Sequence, residues 1–191
     1  HYRKDKQTHV SRPWAIGRAG NGVGGVVSTV KDLLKYARFH MGDGRSPSGN
    51  KIVKRKTLEA MRKKQVNAGG RGDMGITWFI NKSGPLTRYS HGGATNGQQA
   101  MFVFIPEKDF ALALLTNNDN GGVLNNNLAS LALEVYFGIK PTLPKPIKVN
   151  ASELKEYVGS YRIGTEAFDL KIKNGELIYQ HIPLGGFPTP D

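Results

Sequence analysis

The segment Ser90-His91-Gly92-Gly93-Ala94-Thr95-Asn96-Gly97 holds the most pointed chemistry in the chain. A histidine followed by two glycines lets a ligand lie against bare backbone. The Gly93 and Ala94 amides can then face an oxyanion, while the His91 imidazole supplies a proton-bearing group beside it. The candidate site is therefore His91 as the catalytic side chain, with Gly92, Gly93, Ala94 and Asn96 as the oxyanion and substrate-binding set. Other motifs carry less. Gly20, Gly22 and Gly25 spell G-x-G-x-x-G, but no strand precedes them and no βαβ unit with a ribose-binding acid follows, which excludes a dinucleotide site. The polar run 116–122 suggests a calcium loop, yet with Gly122 at loop position six, Leu128 falls where a bidentate Glu is needed. Arg71-Gly72-Asp73 spells an integrin tripeptide inside a glycine-rich turn, where chance is the simpler source. His1, His9, His40 and His181 have no metal-ligand spacing, so neither a metal nor any other cofactor is expected.

The elements that must hold this segment are legible from periodicity. Thr29-Val30-Lys31-Asp32 reads as a capping box, and Val30, Leu33, Leu34, Ala37 and Met41 form the apolar stripe of the helix it opens. Residues 45–52 read as a loose Ser/Pro/Gly loop, and a short basic helix is expected from 57 to about 64. From Gly75 the period drops to two. Strands are expected at 76–80, 86–90, 100–105 and 110–115, forming an antiparallel meander with His91 at the end of the second. A long helix follows over 123–137, with Leu124, Leu128, Leu131, Ala132 and Val135 as its buried stripe. Residues 141–150 read as a proline-rich linker. Beyond it, 167–173 and 176–180 form a hairpin across Asn174-Gly175, a type I′ signal, and so few strands cannot close a stable sheet alone. The domain reading is thus 1–140, linker 141–150, and 151–191 as the truncated start of a small β domain.

Composition narrows the classes. The 191 residues include no cysteine, which excludes a disulfide scaffold, a thiolate zinc site and a thiol nucleophile, and leaves the compartment unfixed. No stretch reaches the ~18 apolar residues of a membrane span. The opening His1-Tyr2-Arg3-Lys4-Asp5-Lys6 has no apolar core for a signal peptide and no Met, so an internal fragment is expected. The net charge is +12, and half of that excess sits in residues 51–64. A solvated helix face explains such a run. Nucleic acid as a partner is disfavoured, because no stacking aromatics are interleaved and no recognised module is present.

Gly24-Gly25-Val26-Val27-Ser28-Thr29-Val30-Lys31-Asp32-Leu33 resembles the glycine turn and helix start of serine β-lactamase-related proteins. These comprise class C β-lactamases, penicillin-binding-protein-like DD-peptidases and related esterases. His91-Gly92-Gly93 is similar to the family's third motif, where Lys-Thr-Gly or His-x-Gly lies on a sheet-edge strand. The strands on either side of Pro106-Glu107-Lys108, the following Thr116-Asn117 and the closing helix also resemble that family, and residues 151–180 resemble the start of its appended β-rich domain. The likeness runs over roughly residues 12–180.

The resemblance implies an α/β (α+β) fold: an antiparallel sheet with flanking helices, here incomplete. It implies hydrolysis of an amide or ester through an acyl-enzyme, with a β-lactam, a D-amino-acid peptide or a small ester as substrate. It implies that the Ala94 amide supplies one oxyanion donor and the nucleophile's own amide the other. That chemistry needs S-x-x-K for attack and Y-x-N or S-x-N for proton transfer. Ser28-Thr29-Val30-Lys31 and Ser48-Gly49-Asn50 match literally, and Ser152-Glu153-Leu154-Lys155 gives a further S-x-x-K. Spacings of 20 and 43 residues between Ser28, Ser48 and His91 leave no room for the helical subdomain that separates the family's motifs. Ser28 and Lys31 therefore stand only as a fallback nucleophile pair, and the chain alone is expected to be inactive. Its expected partners are a small-molecule or peptide substrate, and either the missing N-terminal part of the domain or a second copy of itself. The competing reading is a non-catalytic module that holds an anionic polymer, a cell-wall component or nucleic acid, on the basic 51–64 segment.

Overall fold

A computed structural model describes residues 2–4, 7–10, 16–95, 97–118, 120–140, 149–163 and 166–182. The chain divides into two compact units, His1–Pro141 and Thr142–Asp191.

The first unit opens with a hairpin of β1 (Tyr2–Lys4) and β2 (Gln7–His9). A single 3-10 turn and the one-turn α1 (Asn21–Gly24) take up the glycine run. Helix α2 (Val30–Met41) starts as expected: Thr29 Oγ1 accepts from the Asp32 amide at 3.2 Å and donates to the Asp32 carboxylate at 3.0 Å. The expected α2 stripe is only partly right. Ala37 is fully buried and Leu33 and Met41 pack beside it, but Val30 and Leu34 are exposed and His40 turns inward. Helix α3 (Arg55–Met61) begins two residues earlier than read.

A six-stranded antiparallel meander follows: β3 (Val66–Asn67), β4 (Asp73–Met74), β5 (Phe79–Ser83), β6 (Leu86–Thr95), β7 (Gln98–Ile105) and β8 (Phe110–Thr116). Strand β5 starts later than expected, because Gly75 N–H closes a turn onto the Trp78 carbonyl at 2.8 Å, with Thr77 at φ 69. Strand β6 runs five residues further than expected, because β7 pairs with it from Tyr89↔Phe104 to Thr95↔Gln98.

The sheet has two packed faces. Successive strand residues point to opposite sides, so Phe104 and Ile105, both fully buried, anchor different clusters. On one face Ala37 of α2 meets Trp78, Phe102, Phe104 and Ala113; on the other Leu133 of helix α4 (Gly121–Phe137) meets Ile105 and Leu86. Burying each Phe, Leu or Ile among them contributes about 1.5–3 kcal/mol. The chain is thus α/β in the loose sense, an antiparallel sheet with helices on both faces.

The stripe expected on α4 is overturned. The buried residues are Gly121, Asn125, Ala129 and Leu133, spaced four apart, while Leu124, Leu128, Leu131 and Val135 face outward. Small side chains let the helix come close: a Cβ on Gly121 would collide with Thr116. A helix apolar nearly all round offers no unique periodicity, so size rather than hydropathy decided its rotation.

The second unit holds α5 (Ala151–Glu156), β9 (Gly159–Ile163), β10 (Glu166–Lys173) and β11 (Glu176–Ile182), with sheet order β11-β10-β9. Asn174 and Gly175 both have positive φ, 55° and 81°, as a type I′ turn requires. Tyr161, Phe168 and Tyr179 stack across the three strands at 5.2 and 5.0 Å. Of the linker read at 141–150, residues 141–148 lie outside the described residues.

Candidate active site

The site is built on β6, and its register decides which backbone groups are free. In an antiparallel strand one residue sends both its N–H and its C=O to one neighbour, and the next residue sends both to the other. Thr87 N–H reaches the Glu107 carboxylate, beyond the end of β7, at 2.7 Å. Odd residues of β6 therefore face β7. On β7, the Gln99 carbonyl accepts from Thr116 Oγ1 of β8 at 3.3 Å, so the Ala100 carbonyl points back to its partner Gly93 on β6. Both observations give the same phase. Gly92 and Ala94 must then direct their N–H and C=O away from β7, to the β5 side.

No described strand meets them there. The β5–β6 pairing ends at Phe79↔Ser90, because the turn before Phe79 carries the chain away. Beyond Ser90 the edge of β6 has no partner among the described residues, and the Ala94 N–H stands on it as a donor. The Gly93 amide, by contrast, is committed to the Ala100 carbonyl. Of the two amides that the sequence offered to an oxyanion, the fold leaves Ala94.

His91 lies opposite Phe102 and so shares the face on which α2 packs. Its ring is exposed, tilted against Phe79 at 5.7 Å, and its Nδ1 lies 2.7 Å from the Gly92 carbonyl. A carbonyl only accepts, so Nδ1 is the donor in this contact, and in the tautomer with that single ring proton Nε2 carries the accepting lone pair. Gly93 falls on the same face, one register position from the imidazole. A Cβ there would meet only the Ala100 Cβ, at 3.9 Å, so its absence leaves clear space on that face. A Cβ on Gly92 would lie 3.2 Å from the Ala100 carbonyl, a tight fit. The glycines serve close approach, since neither has positive φ. Asn96 lies outside the described residues.

The literal serine motifs are not brought to this edge. Ser28 and Lys31 are exposed at the start of α2, and the Ser28 hydroxyl donates only to the Thr29 carbonyl, at 3.4 Å. Ser48 and Asn50 lie in a loop more ordered than its composition suggested: Ser46 and Ser48 share a 2.8 Å hydrogen bond, Ser46 N–H donates to the Asn50 carbonyl at 2.8 Å, and Arg45 holds the Gly49 carbonyl at 2.9 Å. Ser152 sits on α5 of the other unit. Among the described residues no hydrogen bond or ion pair joins Ser28, Lys31, Ser48 or Asn50 to His91.

Sequence reasoning passed over His40. It is 2% exposed, ringed by Tyr36, Trp78 and Phe39 at centroid distances of 4.5, 5.0 and 5.6 Å, and its Nδ1 has no partner. Burial, with the Arg62 charge adding to it, pushes its pKa down to about 4. The signal was its place three residues after Ala37 on the inward stripe. Among the described residues no group of three His, Asp or Glu is disposed to hold a metal ion.

The Beta-lactamase family model matches residues 1–137. Penicillin-binding protein 4 of Amycolatopsis lactamdurans is 26% identical over 149 residues, covering 70% of this chain and 38% of that protein. Two solved structures share the fold. SurE with D-Leu superposes with a TM-score of 0.57 at 23% identity, covering 94% of this chain and 44% of that one. The octameric penicillin-binding protein homologue from Pyrococcus abyssi gives 0.51 at 22% identity, covering 80% and 36%. The chain thus spans well under half the length of these relatives.

Proposed function

Because the chain belongs to the Beta-lactamase family, we propose that the open edge of β6 is one wall of an acyl-transfer site that hydrolyses an amide or ester through an acyl-enzyme. The observation that carries this reading is the Ala94 N–H on a sheet edge that no described strand pairs, three residues along β6 from His91, whose Nδ1 meets the Gly92 carbonyl. An acyl oxygen placed on that edge accepts from Ala94 as negative charge develops, which is where a fixed donor lowers the barrier. His91 Nε2 takes a proton from an attacking or leaving group, and the missing Cβ of Gly93 admits the substrate chain next to it.

The attacking serine and its lysine are supplied from outside these residues. What supports this is the lack of any described link between Ser28 or Lys31 and His91. Substrates of the same class as those in the relatives' names, a penicillin or a D-amino-acid derivative, fit an edge that pairs with an extended amide. The test is covalent labelling. A fluorophosphonate or penicillin probe labels the longer protein that contains this chain and leaves the 191-residue chain unlabelled. Labelling of Ser28 overturns the assignment of the nucleophile.

A second reading has one observation behind it. Lys51, Lys54, Lys56 and Lys63 are exposed and make no ion pair among the described residues, while Arg55 and Lys64 are paired with Glu59 and Asp73. Salt-sensitive retention on heparin, with no probe labelling of either length of protein, selects an anionic-polymer module instead.

A further inference from the structure

A second cleft opens on the His91 face of the sheet, apart from the open edge. Helix α3 ends at Met61, whose carbonyl accepts from Ile76 N–H at 2.8 Å. Gly75 lies so close to the same carbonyl that no Cβ fits between them, which fixes the end of the helix against the sheet. The next residue, Arg62, is thereby held with its guanidinium 5.7 Å from the centroid of the Tyr89 ring. Around this pair lies a shallow, open groove of about 310 Å³, bounded by Glu59, Arg62, Lys63, Tyr89, Pro106 and Glu107.

The charges in the cleft are unevenly satisfied. Glu59 is held by Arg55 at 3.0 Å, and Glu107 accepts the Thr87 N–H at 2.7 Å. Arg62 Nη1 is buried without any acceptor, and Lys63 is exposed with no ion pair among the described residues. A guanidinium and an unpaired ammonium side by side favour an anion at the mouth of the cleft. We propose that this cleft binds a carboxylate carried on a flat or apolar body. Its oxygens accept from Arg62 and Lys63, and its body rests on Tyr89 and Pro106. A single planar carboxylate suits the guanidinium fork. The two glutamates at the rim disfavour a doubly charged phosphate. Tyr89 and His91 are alternate residues of β6, so ~7 Å of strand separates the cleft from the open edge. The inference does not depend on the acyl-transfer reading.

The test is titration of the 191-residue chain with benzoate, followed by the Tyr89 ring signals in NMR. Saturable shifts are expected, with benzamide giving none and His91→Ala leaving the benzoate affinity unchanged. Arg62→Gln is expected to weaken binding at least tenfold. Lys63→Gln, at an exposed position that leaves the core untouched, should weaken it several-fold. Equal responses to benzoate and benzamide, tighter binding of inorganic phosphate than of benzoate, no saturable Tyr89 shift, or loss of binding in His91→Ala would each overturn the proposal.

Discussion

At the scale of single residues, the phase of β6 is the finding that can be tested most sharply. Ala94 directs its N–H to the open edge and Gly93 directs its own into the ladder with Ala100. Proline lacks this donor and is tolerated where the N–H faces no strand. Ala94→Pro should therefore fold with little change in melting temperature, yet slow probe acylation of the longer protein by about 10²–10³-fold. Gly93→Pro should do the opposite at the level of stability, because it deletes a ladder hydrogen bond. Thermal unfolding beside labelling kinetics separates the two. His40 governs acid behaviour. Its folded pKa of about 4 lies below the ordinary value of 6.5, so its neutral form is favoured in the native state. Above pH 6.5 neither state binds the proton. Between 6.5 and 4 the unfolded chain takes it up and the folded chain does not, so stability falls as pH drops, by on the order of 3 kcal/mol in all. Urea unfolding at pH 4.5 and pH 7 should show this loss, and His40→Phe should flatten it.

At the scale of elements, helix α4 shows how packing chooses a face. Gly121, Asn125, Ala129 and Leu133 lie against the sheet, and Leu124, Leu131 and Val135 are left outside. Ala129→Leu should cost about 1–3 kcal/mol by overpacking. Leu131→Gln should stay within about 0.5 kcal/mol of the parent. If hydropathy alone had set the rotation, the two effects would be reversed, and the urea midpoints of the two variants decide the matter. The turn between β4 and β5 matters for a different reason. It ends the β5 pairing at Phe79↔Ser90, which is what leaves β6 open beyond that point.

At the scale of the whole molecule, the first unit presents apolar side chains with nothing described against them: Leu124, Leu128, Leu131 and Val135 of α4, and Leu115 of β8, the last strand of its sheet. An open edge and an apolar helix face favour association. The chain should sediment as an oligomer, and a monodisperse monomer would count against this. The triple change Leu124→Gln, Leu128→Gln and Leu131→Gln should restore the monomer without unfolding it. Much of this architecture was legible in the sequence, because it depends on local rules. The Thr29 cap, the alternation of β7 and β8, the Asn174-Gly175 turn and the two glycines after His91 follow from propensity, period and chirality acting over a few residues. The tertiary structure decided what depends on a neighbour distant in sequence. It set which side of α4 is small enough to approach the sheet, and how far β7 carries β6 past Ser90. It decided that His40 is buried while His91 is not, and which amide of the Gly93-Ala94 pair is spent in the ladder. A strand's period fixes that its backbone groups alternate. Only the partner alongside fixes the phase, and here the phase determines which of the two donors the ladder leaves free.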